Sequence, residues 1–131
     1  MKETDLATLQ HLVSQYLIRH RSVLDVQSKL NESAARVSRA LAHAVTSCGC
    51  VQIRAERQRF PADVGLGDVR GFLSTHFYGE LCERCREAVE YEIGSTLFYL
   101  AALCYIMGLD LDAILRKERD RVSALGVYHL T

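Results

Sequence analysis

The stretch from Gly79 to Met107 carries a cysteine pair, a series of glutamates and the longest apolar run of the chain, and all of them fit one helix. At about 100° per residue, Cys82, Cys85, Val89, Ile93, Leu97, Leu100, Leu103, Cys104 and Met107 fall within one broad stripe that should face a core. Glu80, Glu83, Glu87 and Glu90 follow the spacing i, i+3, i+7, i+10 and form a line of carboxylates on a neighbouring flank. Glu92 stands apart, beside Cys85 at the edge of the stripe, where an ionised carboxylate needs a partner or a metal. Gly94 is the one helix-weakening residue after Glu80, at a cost of only about 1 kcal/mol relative to alanine. A helix this long, with one side this apolar, commits the chain to helical packing around it.

The remaining segments supply the neighbours. Thr4 can cap a first helix in which Leu6, Leu9, Leu12, Val13, Tyr16 and Leu17 recur at helical spacing, ending near His20. Ser22 with Asp25 three residues on resembles a capping box, and Leu30, Ala34, Val37, Leu41, Ala44 and Val45 mark a second helix to about Thr46. Cys48-Gly49-Cys50 interrupts it, and Val51, Ile53 and Ala55 then alternate with polar residues as a short extended segment would. Phe60-Pro61 through Gly67 reads as a loop, and a short helix is expected from Asp68 to His76. Gly108 is placed to cap the long helix, and Asp110 to start a last one from Leu111 to about Ala124 that Gly126 ends. Val127, Tyr128 and Leu130 of the tail are expected to pack on the bundle.

The expected fold is therefore all-α: a single domain over residues 1–131, a bundle of four to five helices with a short extended cysteine-containing segment. With 49% hydrophobic residues, a chain of 131 can fill a sizeable core. One proline and eight glycines argue against an all-β chain. Sixteen basic and sixteen acidic residues cancel, so no global field draws the protein to nucleic acid or anionic membrane. The run from Leu97 to Met107 has 11 residues, short of the roughly 18 to 20 that span a bilayer. Met1 to Gln10 is polar and has no signal-peptide apolar core, so the expected location is cytoplasmic.

In such a compartment five cysteines are thiols or metal ligands rather than disulfides. Cys48-x-Cys50 and, after 31 intervening residues, Cys82-x-x-Cys85 supply two chelating pairs, which suits tetrahedral zinc. Gly49 lets the chain turn tightly enough for two thiolates to meet one ion, while Cys82 and Cys85 share one helical face. A helix N-terminus would also stabilise their thiolates. A site closed by four thiolates holds structure and leaves no open position for catalysis. Inert burial of small apolar side chains, a redox pair and iron–sulfur ligation are the competing readings. His76 is a substitute ligand only in a less favoured arrangement, and Cys104, deep in the apolar run, reads as packing. His11, His20, His43 and His129 make no metal-binding spacing.

The glutamate row, interleaved with Arg84 and Arg86, reads first as a solvated face; a magnesium site shared with substrate phosphates is the other reading. Glu92-Ile-Gly-Ser-Thr-Leu-Phe-Tyr-Leu-Ala-Ala-Leu, with Met107-Gly-Leu-Asp-Leu-Asp-Ala-Ile-Leu after it, resembles the second motif helix and following cap of MazG-like nucleoside triphosphate pyrophosphohydrolases. Leu30-Asn-Glu-Ser-Ala-Ala-Arg-Val-Ser-Arg-Ala-Leu echoes the apolar frame of that family's first motif helix. The resemblance implies an all-α fold, helical dimers or tetramers, and magnesium-dependent cleavage of nucleoside triphosphates to monophosphate and pyrophosphate. It implies Glu32 and Glu92 as magnesium ligands. Ser33, Arg36 and Ser95 stand where the family's pattern has acids, and the cysteine pairs have no place in it.

Two functions are expected from these features. The favoured one is a zinc-stabilised, non-catalytic helical module that binds a nucleotide or a protein; the other is a pyrophosphohydrolase with a rebuilt magnesium site. Nucleic-acid contact through Arg54, Arg57 and Arg59 is disfavoured, because Phe60 is the only aromatic among them. Thiol redox chemistry at Cys82 and Cys85 lacks its usual βαβ context. A homodimer is expected, since the apolar positions from Leu97 to Met107 wrap too far round the helix for short neighbours to cover.

Overall fold

The computed structural model describes residues 2–128 and contains four α-helices and a two-stranded antiparallel ribbon. Helix α1 spans Asp5–Tyr16, α2 Val23–His43, α3 Glu83–Met107 and α4 Leu111–Leu125, while strands β1 (Val51–Ile53) and β2 (Phe77–Gly79) lie between α2 and α3. Each α-helix begins on a side-chain cap. Thr4 Oγ1 accepts from the Ala7 N–H, Ser22 Oγ from Leu24, and Asp110 Oδ1 from both Asp112 and Ala113. At the start of α3 the cap is a thiol, Cys82.

Two apolar clusters hold the elements. In the larger, Val13 and Leu17 from α1 and Val26 from α2 meet Ala101 and Ala102 of α3. Two adjacent alanines let neighbouring helices close on α3, because nothing beyond Cβ keeps the backbones apart. Between α2 and α3, the buried Ser33 hydroxyl donates to the Leu30 carbonyl at 2.7 Å and accepts from Thr96 Oγ1 at 3.1 Å. A buried polar group is thereby satisfied from both sides. The smaller cluster joins Ala44, Val51 and Cys85, with Val45, Leu81 and Cys82 around it. Gln10 fastens α1 to the α3–α4 turn: its Nε2 donates to the Leu109 carbonyl at 2.6 Å and its Oε1 accepts from the Leu111 N–H at 2.8 Å.

Several sequence expectations are corrected. Helix α1 ends at Tyr16 rather than near His20, because Leu17 leaves the helical conformation as it enters the core. His20 then takes a φ of 55° before Ser22 opens α2. The stretch Asp68–His76 is not a helix beyond one 3₁₀ turn, Val69–Phe72; Phe77–Gly79 is instead a strand, paired with β1 through Val51↔Gly79, Gln52↔Tyr78 and Ile53↔Phe77. Because that ribbon runs to Gly79, α3 starts only at Glu83 and Glu80 leaves the row of helical glutamates. The stripe on α3 does not face the core throughout: Ile93, Leu97 and Met107 are exposed, whereas Ala101 and Ala102 are buried. Neighbours close on α3 at those alanines, so burial there follows close packing rather than side-chain size. Val127 and Tyr128 form an exposed 3₁₀ turn instead of packing, and Leu130 lies outside the described residues.

Candidate metal centre

The last turn of α2 is where the site begins. Residues Ala44–Cys48 continue the helix as a wider π turn, a form often found where a helix presents a functional side chain. Gly49 ends it at φ 81°, a left-handed conformation open to glycine, with its N–H on the Ala44 carbonyl at 2.9 Å. The chain therefore reverses between Cys48 and Cys50, as two ligands one residue apart require. Cys50 leads into β1, whose partner strand returns to Gly79. That residue has φ 94°, and a Cβ there would sit 2.8 Å from the Cys50 carbonyl oxygen. Only glycine lets β2 pass this close to the first cysteine pair.

Beyond Gly79, Leu81 enters the small apolar cluster and Cys82 caps α3. The Cys82 Sγ accepts from the Cys85 N–H at 3.4 Å, and Cys85, one turn on, is buried. All four Sγ atoms, of Cys48, Cys50, Cys82 and Cys85, lie within 4.8 Å of one another, and those of Cys48 and Cys82 are 3.8 Å apart. A tetrahedral ion with metal–sulfur bonds of about 2.3 Å needs sulfur–sulfur edges of about 3.8 Å, so the donor set fits such an ion with small adjustments. Exposed Cys48 gives an entry path, while buried Cys85 and the Ala44–Val51 cluster form a dry floor.

The thiols are electrostatically unequal. Hydrogen bonding from the Cys85 backbone N–H, then from its side chain, lowers the Cys82 thiol to about 7. The Cys85 thiol is pushed up to about 12, first by its hydrogen bond with Cys82 and then by burial. Cys82 thus offers a thiolate ahead of Cys85. Burial also pushes the Cys104 thiol up; that residue packs in α3, apart from the four.

Among the described residues, these cysteines are the one group of three or more His, Cys, Asp or Glu side chains close enough to share an ion. Glu32 is exposed and paired with Lys29 at 3.1 Å and with Arg36. Its carboxyl is held below the usual range by the Lys29 hydrogen bond and the Arg36 charge. Glu92 is half-buried on α3, with one oxygen, Oε2, enclosed and without a hydrogen-bond partner. It lines an open groove of about 510 Å³ between α2 and α3 with Arg36, Arg39, His43 and Tyr91. His76 joins the ribbon rather than the cysteines, at φ 59°. No family model, curated protein or solved structure matches the chain. No single described helix is long and apolar enough to cross a membrane.

The sequence reading missed how the segment between the cysteine pairs is held. Arg54 lies over the Tyr78 ring at 4.1 Å. The Gln58 amide pairs with the Ser74 backbone in both directions, at 2.7 and 2.9 Å, extending the ribbon past its last strand residue. The aromatic pair Phe77-Tyr78 just before Gly79 was the available signal for a strand.

Proposed function

We propose that the protein is a divergent MazG-like helical module, held in shape by a structural zinc ion, whose α2–α3 groove binds a nucleotide without cleaving it. The observation that carries this reading is the four-thiol cluster. Four sulfurs complete a zinc shell and leave no position for a reacting water, so the ion's role is to tie the end of α2 to the start of α3. Reduced thiols of this kind suit a cytoplasmic setting.

The groove supports the ligand half of the proposal. Arg39 and His43 can meet phosphate oxygens with charge-assisted hydrogen bonds, and the Tyr91 ring offers a stacking surface for a base. Two side chains at the positions that would serve magnesium are already engaged. Glu32 is committed to Lys29 and Arg36, and the Ser33 hydroxyl to Leu30 and Thr96.

One observation favours a second reading, a magnesium-dependent nucleoside triphosphate pyrophosphohydrolase. The unpartnered Oε2 of Glu92 is an oxygen waiting for a cation or donor. Magnesium commonly takes one or two carboxylates and completes its shell with water and substrate phosphates, so Glu92, with Glu32, would suffice. Two measurements on the zinc-loaded protein separate the readings: calorimetric binding of a nucleoside triphosphate panel, and pyrophosphate release with magnesium or manganese, with Glu92→Gln as control. Binding without release supports the module. Release that vanishes in the control establishes the hydrolase, and absence of both removes the nucleotide from the proposal.

A further inference from the structure

The four sulfurs are near enough to bond to one another as well as to an ion. Cys48 and Cys82 have their Sγ atoms 3.8 Å apart, and a disulfide closes at about 2.0 Å. Cys48 is exposed at the last position of the π turn, so its side chain has room to swing, and Cys82 stands just ahead of the first turn of α3. The other two thiols are less free to pair. That of Cys50 is directed at the Ala44 carbonyl, 3.9 Å away, and Cys85 is buried. Cys50 and Cys82 are half-buried, which leaves Cys48 as the member of the cluster that a small oxidant meets first.

We propose that the four-thiol centre is a peroxide-responsive switch, in which hydrogen peroxide oxidises Cys48, Cys82 joins it in a disulfide, and the zinc ion leaves. The switch rests on the structural-zinc reading above. In the first step the Cys48 thiolate attacks a peroxide oxygen; an S–O bond forms, the O–O bond breaks and hydroxide departs, leaving a sulfenic acid. In the second the Cys82 thiolate attacks the Cys48 sulfur; the S–S bond forms, the S–O bond breaks and a second hydroxide departs. Two thiolates have given up two electrons, and the peroxide has taken them. The Cys85 backbone N–H, 3.4 Å from the Cys82 sulfur, steadies the attacking thiolate.

Only Cys50 and Cys85 then remain as ligands, where a structural zinc takes four, and they pick up protons from solvent as the ion departs. The outcome differs along the chain. Cys48 and Cys82 belong to the end of α2 and the start of α3, so the new bond keeps those two elements fastened. Cys50 leads into β1, and Cys85 packs with Val51 in the small apolar cluster. Both lose the ion, so the switch loosens the ribbon while the helices stay joined. A dithiol reductant reverses it by thiol–disulfide exchange.

The reduced full chain, analysed first for zinc, is treated with a molar excess of hydrogen peroxide while a chromophoric chelator records release of the ion. The expected result is complete release, loss of two of the five thiols on titration, and a bond between Cys48 and Cys82 located by fragmentation of non-reduced peptides. Amide exchange should rise at Val51–Ile53 in the oxidised form, and dithiothreitol with added zinc should restore the starting state. Zinc that stays bound while thiols are oxidised overturns the switch. So does a bond located at Cys48–Cys50 or Cys82–Cys85, or an oxidation that dithiothreitol does not reverse. Reduced protein that holds no zinc refutes the structural-ion reading itself, and the switch falls with it.

Discussion

The Sγ atoms of Cys48 and Cys82 lie 3.8 Å apart although 34 positions separate them in the chain. Everything between them is a ribbon and a loop with a single fully buried side chain, Val51. Such a segment gains little from apolar burial against the entropy of ordering it, and an ion bound by the four thiols would offset part of that cost. Structural zinc in small domains is worth about 10 to 16 kcal/mol, comparable to the whole stability of a domain. Purified under reducing conditions, the protein should hold one zinc per chain by elemental analysis. Chelation should lower its melting temperature and open the amides of Val51–Ile53 and Phe77–Gly79 to hydrogen exchange, while those around Ala101 exchange last. Unchanged exchange in the ribbon after zinc removal would refute a structural role.

In the metal-free protein Cys82 should react ahead of Cys85. Thiolate is the nucleophile, and Cys82, lowered to about 7, carries more of it at neutral pH than Cys85, pushed up to about 12. Alkylation of Cys82 should therefore rise as pH climbs through about 7, and that of Cys85 should stay slow up to strongly alkaline pH. Mass spectrometry of peptides after brief iodoacetamide pulses reads both. Zinc loading should protect the two together.

Gly79→Ala puts a methyl where the Cys50 carbonyl oxygen is 2.8 Å away, on a backbone at φ 94°. Either effect alone is unfavourable; the strained φ costs about 1 to 2 kcal/mol and the contact forces β2 away from Cys50. Zinc affinity should fall at least about tenfold in a chelator competition, although Gly79 is not a ligand. Gly49→Ala should cost less, since only its φ and no contact opposes a side chain.

Ser33→Ala should cost about 1 kcal/mol in urea denaturation, the usual net worth of a buried hydrogen bond. Thr96 keeps a partner in the Glu92 carbonyl at 3.2 Å, which limits the loss. Ser33→Asp should cost at least about 3 kcal/mol, because the site is fully buried.

Capping and periodicity were legible in the sequence because they depend on neighbours a few residues away. Thr4, Ser22, Gly108 and Asp110 all act where their spacing placed them. The four-cysteine cluster was legible too, since each pair is local and only their meeting is not. What local pattern could not reveal was which side of α3 would be covered. Ile93 and Leu97 look like core on a wheel, yet Ala101 and Ala102 are the residues that α1 and α2 enclose. Strand β2 was hidden for a similar reason, because a three-residue strand has too short an alternation to detect and exists only through its pairing with β1.

The π turn at Ala44–Cys48 makes the meeting of the four sulfurs a matter of phase. Each residue added to or removed from the end of an α-helix rotates the rest of the chain by about 100°. A single-residue insertion or deletion here, harmless to helix content, would swing Cys48 away from the other three sulfurs. The end of α2 thus works as a vernier, and its tolerance to length change should be far smaller than that of the Phe60–Gly67 loop, which carries no ligand.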